Sequence, residues 1–218
     1  MFSLVLLASG LFAADTGKRL TNSAEVFQEI MQMADRAIPQ KLLDKAECVI
    51  VVPGLLKGAF LVGGKYGRGF VVCRREAAGW GPPAAIRVEG GSFGLQIGGA
   101  ETDVVMLVMN QRGVKRLSQS KFTLGADASV AAGPVGRQAT AETDALMTAE
   151  ILTWSRSRGA FAGLSLQGAT LRPDNNANSE MYQQSWGIKE IVSSGLETPE
   201  AGRELLKLLN KYSARKSG

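Results

Sequence analysis

The sequence predicts an α+β fold: a curved antiparallel β-sheet or barrel-like sandwich of roughly eight to ten strands, flanked by N- and C-terminal helices. Three observations predict it. From Ser92 to Gly98, Phe93, Leu95 and Ile97 alternate with small or polar residues, the period of two that sends alternate side chains to opposite faces of a strand. Short β-branched runs such as Val49–Val52, Phe70–Cys73 and Val104–Met109 recur, separated by glycine clusters. Helical periodicity is confined to the two ends of the chain.

At 218 residues the length suits one domain, read as 20–212, behind a distinct N-terminal segment, 1–14. The 26 glycines sit inside apolar runs, which points to close β packing instead of disorder. There is no histidine, so the commonest general base and metal ligand are both missing. Cys48 and Cys73 cannot build a zinc site alone; they read as two buried thiols or, in an oxidising compartment, as one bridge between neighbouring strands. A net charge of +5, scattered along the chain, lacks the dense basic stripe of a nucleic-acid binder but is compatible with an anionic membrane surface.

Met1 to Ala14 is apolar and uncharged, too short to span a bilayer but fitting the apolar region of a secretion signal. The alternative is an apolar helix that stays attached. Asn22 with Glu25 reads as a capping box opening an amphipathic helix that buries Val26, Phe27, Ile30, Met31 and Ile38 and stops at Pro39. Val49–Val52 is a strand ending at Pro53, and the glycine-rich GGKYGRG (63–69) a hairpin turn or bulge. Spacing excludes a phosphate loop there: Gly58 to Gly64-Lys65 is one residue too long and Tyr66 stands where Ser or Thr is required. Trp80-Gly81-Pro82-Pro83 is a turn seating a core tryptophan, and Gln111-Arg112-Gly113 closes the central hairpin before a helical turn, Val114–Leu117. Asp127–Val135 is extended; Glu150–Ser155 and Ala160–Leu171 are the last strands; Pro173–Asn178 is a loop. Thr198 and Pro199 open the final helix, with Ala201, Leu205, Leu208, Leu209 and Tyr212 on its buried face.

No catalytic constellation emerges. Glu101 and Asp103, like Glu142 and Asp144, are carboxylate pairs two residues apart that read as solvated surface groups. No serine sits in a nucleophile elbow, and no metal or cofactor set is present. Gln96, Asp127 and Arg137 fall in small-residue segments and read as a structural polar network, or alternatively as the walls of a headgroup pocket. Lys65 and Arg68, with Arg74 and Arg75 close by in sequence, form the best anion-contact cluster; Arg156 and Arg158 are a weaker second.

The stretches IPQKLLDKAECVIVVP, VGGKYGRG, WGPP, GGSFGLQIG with Asp103, LGADASVAAGPVGR and SRSRGAFAGLSLQGA, in this order, resemble the SYLF domain, a Las-binding and actin-regulator domain. The likeness runs from about Leu20 to Tyr182, with looser similarity beyond. Trp154 replaces the tyrosine usual before Ser-Arg, and Gln183 the glycine usual after the tyrosine. The resemblance implies a non-catalytic domain that binds lipids, phosphoinositides especially, and in eukaryotic relatives actin. With the N-terminal segment read as a signal, the expectation is a periplasmic or cell-envelope protein that meets anionic lipid, with actin an improbable partner. A protein-interaction or structural module is the alternative, and an undetected hydrolase a distant third.

Overall fold

The computed structural model describes residues 5–33, 37–60, 62–75, 79–93, 98–134, 149–157 and 166–213. Eight strands among them form one sheet: β1 (Cys48–Phe60), β2 (Val62–Cys73), β3 (Ala84–Phe93), β4 (Gly98–Val108), β5 (Phe122–Thr123), β6 (Val130–Ala132), β7 (Ile151–Ser157) and β8 (Thr170–Pro173). Their order is β5-β8-β3-β2-β1-β4-β7-β6, antiparallel throughout except for β6 beside β7. The helices are α1 (Val5–Gln32), α2 (Gln40–Lys45), α3 (Gln111–Leu117), α4 (Asn175–Tyr182), α5 (Ile188–Ser193) and α6 (Arg203–Tyr212), the last entered through a 3₁₀ turn, Glu200–Gly202. The predicted α+β class and curved, helix-flanked sheet are what the structure contains.

Chain length dictates the curl. The edge strands β5 and β6 are neighbours in sequence, and Thr123 to Val130 spans at most roughly 25 Å when extended. A flat sheet of eight strands would separate its edges by roughly 34 Å. The sheet therefore bends until its edges approach, and Leu124 bridges Ala128 between them. The pleat sorts the core onto two faces. Cys48, Ile50 and Val52 of β1 join Val71, Ile86, Met106, Ile151 and Leu171 on the inner face, which also receives Leu117, Ile188 and Ile191 from α3 and α5. Val49 and Val51 point outward under Phe27 and Ile30 of α1 and Leu205, Leu208 and Leu209 of α6. Each buried aliphatic side chain contributes about 1.5–3 kcal/mol, so the central strands, apolar on both faces, anchor the molecule.

Several local expectations are corrected. β1 does not end at Pro53: it continues through a bulge there, with Gly54 at φ +57° and its N–H donating to the Asp103 carboxylate at 2.9 Å. GGKYGRG is no turn but the middle of β2. The bulge presses onto it: a Cβ on Gly67 would sit 2.5 Å from Leu55 Cδ1, and one on Gly69 2.1 Å from the Val51 carbonyl oxygen. Of the alternating stretch at 92–98, Ser92 and Phe93 close β3 and Gly98 opens β4, while residues 94–97 lie outside the described residues. α1 starts at Val5, which leaves Asn22 and Glu25 mid-helix with no capping role, and it ends before Pro39, which instead precedes α2. Asn110 caps α3 by accepting from Gly113 N at 3.0 Å, so Gln111–Gly113 is helix, not a hairpin turn. Pro173–Asn178 is not a loop, because Asp174 accepts from Ala177 N and starts α4. The final helix begins at Arg203, not at Thr198-Pro199. The predicted extended stretch at 127–135 narrows to β6, with Asp127 in the preceding turn, and the last strand to β8, while part of the 160–171 run lies outside the described residues.

Cys48 and Cys73 are register partners on β1 and β2, and their sulphurs are bonded, which selects the bridge over the two free thiols. Among the described residues no helix is long and apolar enough to cross a membrane.

Candidate functional site

The hairpin of β1 and β2 closes between Phe60 and Val62, and every pair below follows from that register: Ala59 with Gly63, Gly58 with Gly64, Lys57 with Lys65. Lys65 shares its face with Gly67, Val71 and Cys73, so both lysines point to the inner side of the curl near its mouth. Lys65 is only 7% exposed and Lys57 half-buried. On the same row their outer neighbours are Gly90 on β3 and Ala100 on β4, the smallest residues available. Burial first, and then the positive charge of Lys57, hold the Lys65 ammonium below its ordinary value. Like charges directly opposite on adjacent strands repel each other, and this row sets two ammonium groups side by side on one face of the sheet.

The predicted cluster of Lys65, Arg68, Arg74 and Arg75 does not assemble. Arg68 lies on the outer face, with Phe70 and Val72. Its Nε donates to the buried Asp174 carboxylate at 2.8 Å and its Nη1 reaches Asp15 of α1 at 3.2 Å. Burial works against the Arg68 charge, but the Asp174 hydrogen bond and charge, with Tyr66 and Asp15, still hold its pKa above the ordinary value. Arg74 and Arg75 follow the far end of β2, with roughly 26 Å of strand between Lys65 and Cys73. Arg74 spends its guanidinium on the carbonyls of Ala46, Leu43 and Ser213 at 2.8–3.1 Å and on the Ser213 hydroxyl, stacked 4.1 Å over Trp80. It ties α2 and the end of α6 to the sheet. Arg75 donates to the Leu196 carbonyl at 3.2 Å.

Arg156 is also a structural cation. It binds Asp103 at 2.6 Å and Glu29 of α1, and Asp103 in turn accepts from the bulge at Gly54. Asp103 is 3% exposed, so Glu101 and Asp103 are not a solvated pair: only Glu101 is exposed. Of the expected polar network, Asp127 is exposed and accepts from Thr123 N at 2.7 Å within its own turn, while Gln96 and Arg137 lie outside the described residues, as do Arg158, Glu142 and Asp144. Two polar networks with buried members among the described residues, Arg19–Asp174–Arg68–Asp15 and Glu29–Arg156–Asp103, fasten α1 to the sheet. Between them runs a groove of about 420 Å³ whose three arginines face Glu25, Glu29, Glu101 and Asp103. On its sheet side Leu56 and Tyr66, register partners, are 56% and 45% exposed.

Lys57 is the residue that sequence reading missed, and its signal was present: Lys57 and Lys65 are equidistant from position 61, so a tight hairpin centred there must pair them. Among the described residues no group of His, Cys, Asp and Glu is placed to hold a metal ion.

A family model described as Ysc84, Las17-binding protein actin regulator, matches residues 89–212. An SH3 domain-containing protein of Schizosaccharomyces pombe, PJ696.02, is 32% identical over 197 residues, covering 89% of this chain and 45% of the relative. Protein YSC84 of Saccharomyces cerevisiae is 33% identical over 179 residues, 81% of this chain and 38% of its own length. The SH3 domain-containing YSC84-like protein 1 of Rattus norvegicus is 29% identical over 199 residues, 88% of this chain and 58% of the relative. The chain thus spans about half the length of the curated relatives it matches. With the family model covering more than half of the sequence, this chain belongs to the Ysc84 family, the SYLF domain family.

Proposed function

We propose that this chain is a non-catalytic module that captures anionic lipid through the mouth of its curled sheet. The observation that carries the reading is the Lys57–Lys65 pair: two cations held side by side on the inner face, flanked by Gly90 and Ala100, next to the hairpin end formed by Phe60 and Val62. A phosphate oxygen set between two ammonium groups gains charge-assisted hydrogen bonds from both. The working compartment in this reading is the cell envelope, supported by the apolar N-terminal sequence and by the Cys48–Cys73 bridge, which persists in oxidising surroundings. The test is vesicle flotation. Recovery on phosphatidylglycerol vesicles that falls as salt is raised, with none on phosphatidylcholine, supports electrostatic capture; equal, salt-independent recovery on both counts against it.

A second reading is favoured by a different observation. The exposed Leu56 and Tyr66 beside the charged groove form a surface suited to a protein partner, and the family description names Las17 binding and actin regulation. Replacing both with serine would abolish capture of a protein partner while leaving flotation intact; loss of flotation instead would place the lipid contact on this outer face.

A further inference from the structure

The far end of the molecule holds a second polar site, unrelated to the lysine row. A cleft of about 420 Å³ lies between the β2–β3 connection, which carries Arg75 and Trp80, and the chain leading into α6, which carries Leu196, Glu197, Thr198 and Arg203. Two buried donors here have no acceptor: Arg75 Nε and the indole Nε1 of Trp80. Trp80 is 4% exposed, so solvent does not compensate. Such an orphan typically costs about 1–3 kcal/mol, and native interiors rarely tolerate it without a reason. The other two tryptophans and the adjacent arginine sharpen the contrast. Trp154 Nε1 donates to the Pro134 carbonyl at 3.2 Å and Trp186 Nε1 to Gln184 Oε1 at 2.5 Å. Arg74, one residue from Arg75, saturates its guanidinium with carbonyls and pins the Trp80 ring from one side. Arg203 forms no ion pair among the described residues, although Glu197 lines the same cleft.

The geometry points to an oxyanion site: we propose that the cleft binds a small carboxylate or phosphate through Arg75, Arg203, the Trp80 indole N–H and the Thr198 hydroxyl. Two guanidiniums and one carboxylate leave a lining charge of +1, matched to a singly charged anion such as a carboxylate or a phosphodiester. The rigid indole supplies direction, the guanidiniums supply charge, and Leu196 closes one wall. This site does not depend on the lipid reading of Lys57 and Lys65.

The experiment follows the three indole N–H resonances of the ¹⁵N-labelled full chain, with the Trp80 signal assigned by Trp80→Phe. Inorganic phosphate, acetate and phosphatidylglycerol vesicles are added separately at constant ionic strength. The expected result is a saturable shift of the Trp80 indole alone, with affinity falling about tenfold, the effect of about 1.4 kcal/mol, in Arg75→Gln and in Arg203→Gln. Arg203 is exposed, so its variant tests the site without threatening the fold. A response to the free anions identifies a soluble ligand, and a response to vesicles alone identifies a lipid headgroup as the source of the same chemistry. No Trp80 response to any of the three, or a response unchanged in both arginine variants, overturns the proposal. Lys57→Gln/Lys65→Gln leaves the Trp80 shift intact, which separates this site from the lysine row.

Discussion

Lys65 and Arg68, three residues apart on one strand, face opposite sides of the sheet: Lys65 lies beside Lys57 at the inner mouth and Arg68 is ion-paired to Asp174 at 2.8 Å under α1. A basic stretch that looks continuous in sequence is thus split by the pleat into a binding candidate and a structural brace.

The brace has a measurable consequence. Arg68→Gln leaves the Asp174 carboxylate, which also caps α4, without its main charge partner. Urea denaturation should show a loss of about 1–3 kcal/mol, while flotation on anionic vesicles stays at the wild-type level. A stable variant that no longer floats would return Arg68 to the lipid site.

Arg74 should behave similarly. A lysine keeps the charge but cannot span the carbonyls of Leu43, Ala46 and Ser213 or stack on Trp80. Arg74→Lys is expected to lower stability by about 2–3 kcal/mol, read as a lower thermal midpoint. A midpoint equal to wild type would show that charge alone suffices there.

Gln183 is, among the described residues, the non-glycine residue with positive φ, at 55°, where it ends α4. The left-handed conformation costs an L-residue about 1–2 kcal/mol, a cost that glycine does not carry. Gln183→Gly should stabilise the protein by about 1 kcal/mol; destabilisation would mean that the Gln183 side-chain bond to the Glu180 carbonyl outweighs backbone strain.

The lysine row makes stability depend on pH. The Lys65 pKa is lowered in the folded state by burial and then by Lys57, so between that lowered value and the ordinary lysine value the unfolded chain binds more protons. Stability from this group therefore rises with pH through that window and is lowest below it. Lys65→Met should be more stable than wild type at pH 7, with the difference shrinking as pH approaches 10. A difference that stays constant across that range would contradict the strained-lysine assignment.

The central strands were legible in the sequence because Val49–Val52 and Val104–Val108 are apolar on both faces, and the structure buries every one of them. GGKYGRG was not, because glycine marks turns and close packing alike; only the bulge at Pro53-Gly54, on the neighbouring strand, makes Gly67 and Gly69 packing residues. The roles of the arginines were hidden for a related reason. Arg68 meets a carboxylate 106 positions away and Arg156 one 53 positions away, partners that no local pattern announces. The Lys57–Lys65 pairing, by contrast, follows from hairpin symmetry alone, and the far-end cleft needs three segments brought together before it exists.

The most direct measurement compares flotation of two double variants that remove the same charge. Lys57→Gln/Lys65→Gln neutralises the inner row, and Lys207→Gln/Lys211→Gln neutralises two exposed lysines of α6. If the mouth of the sheet captures anionic lipid, the first variant loses recovery on phosphatidylglycerol vesicles by about tenfold or more and the second floats like wild type. Equal losses in both would mean that only net charge matters, and wild-type flotation of the first would remove the lysine row from function.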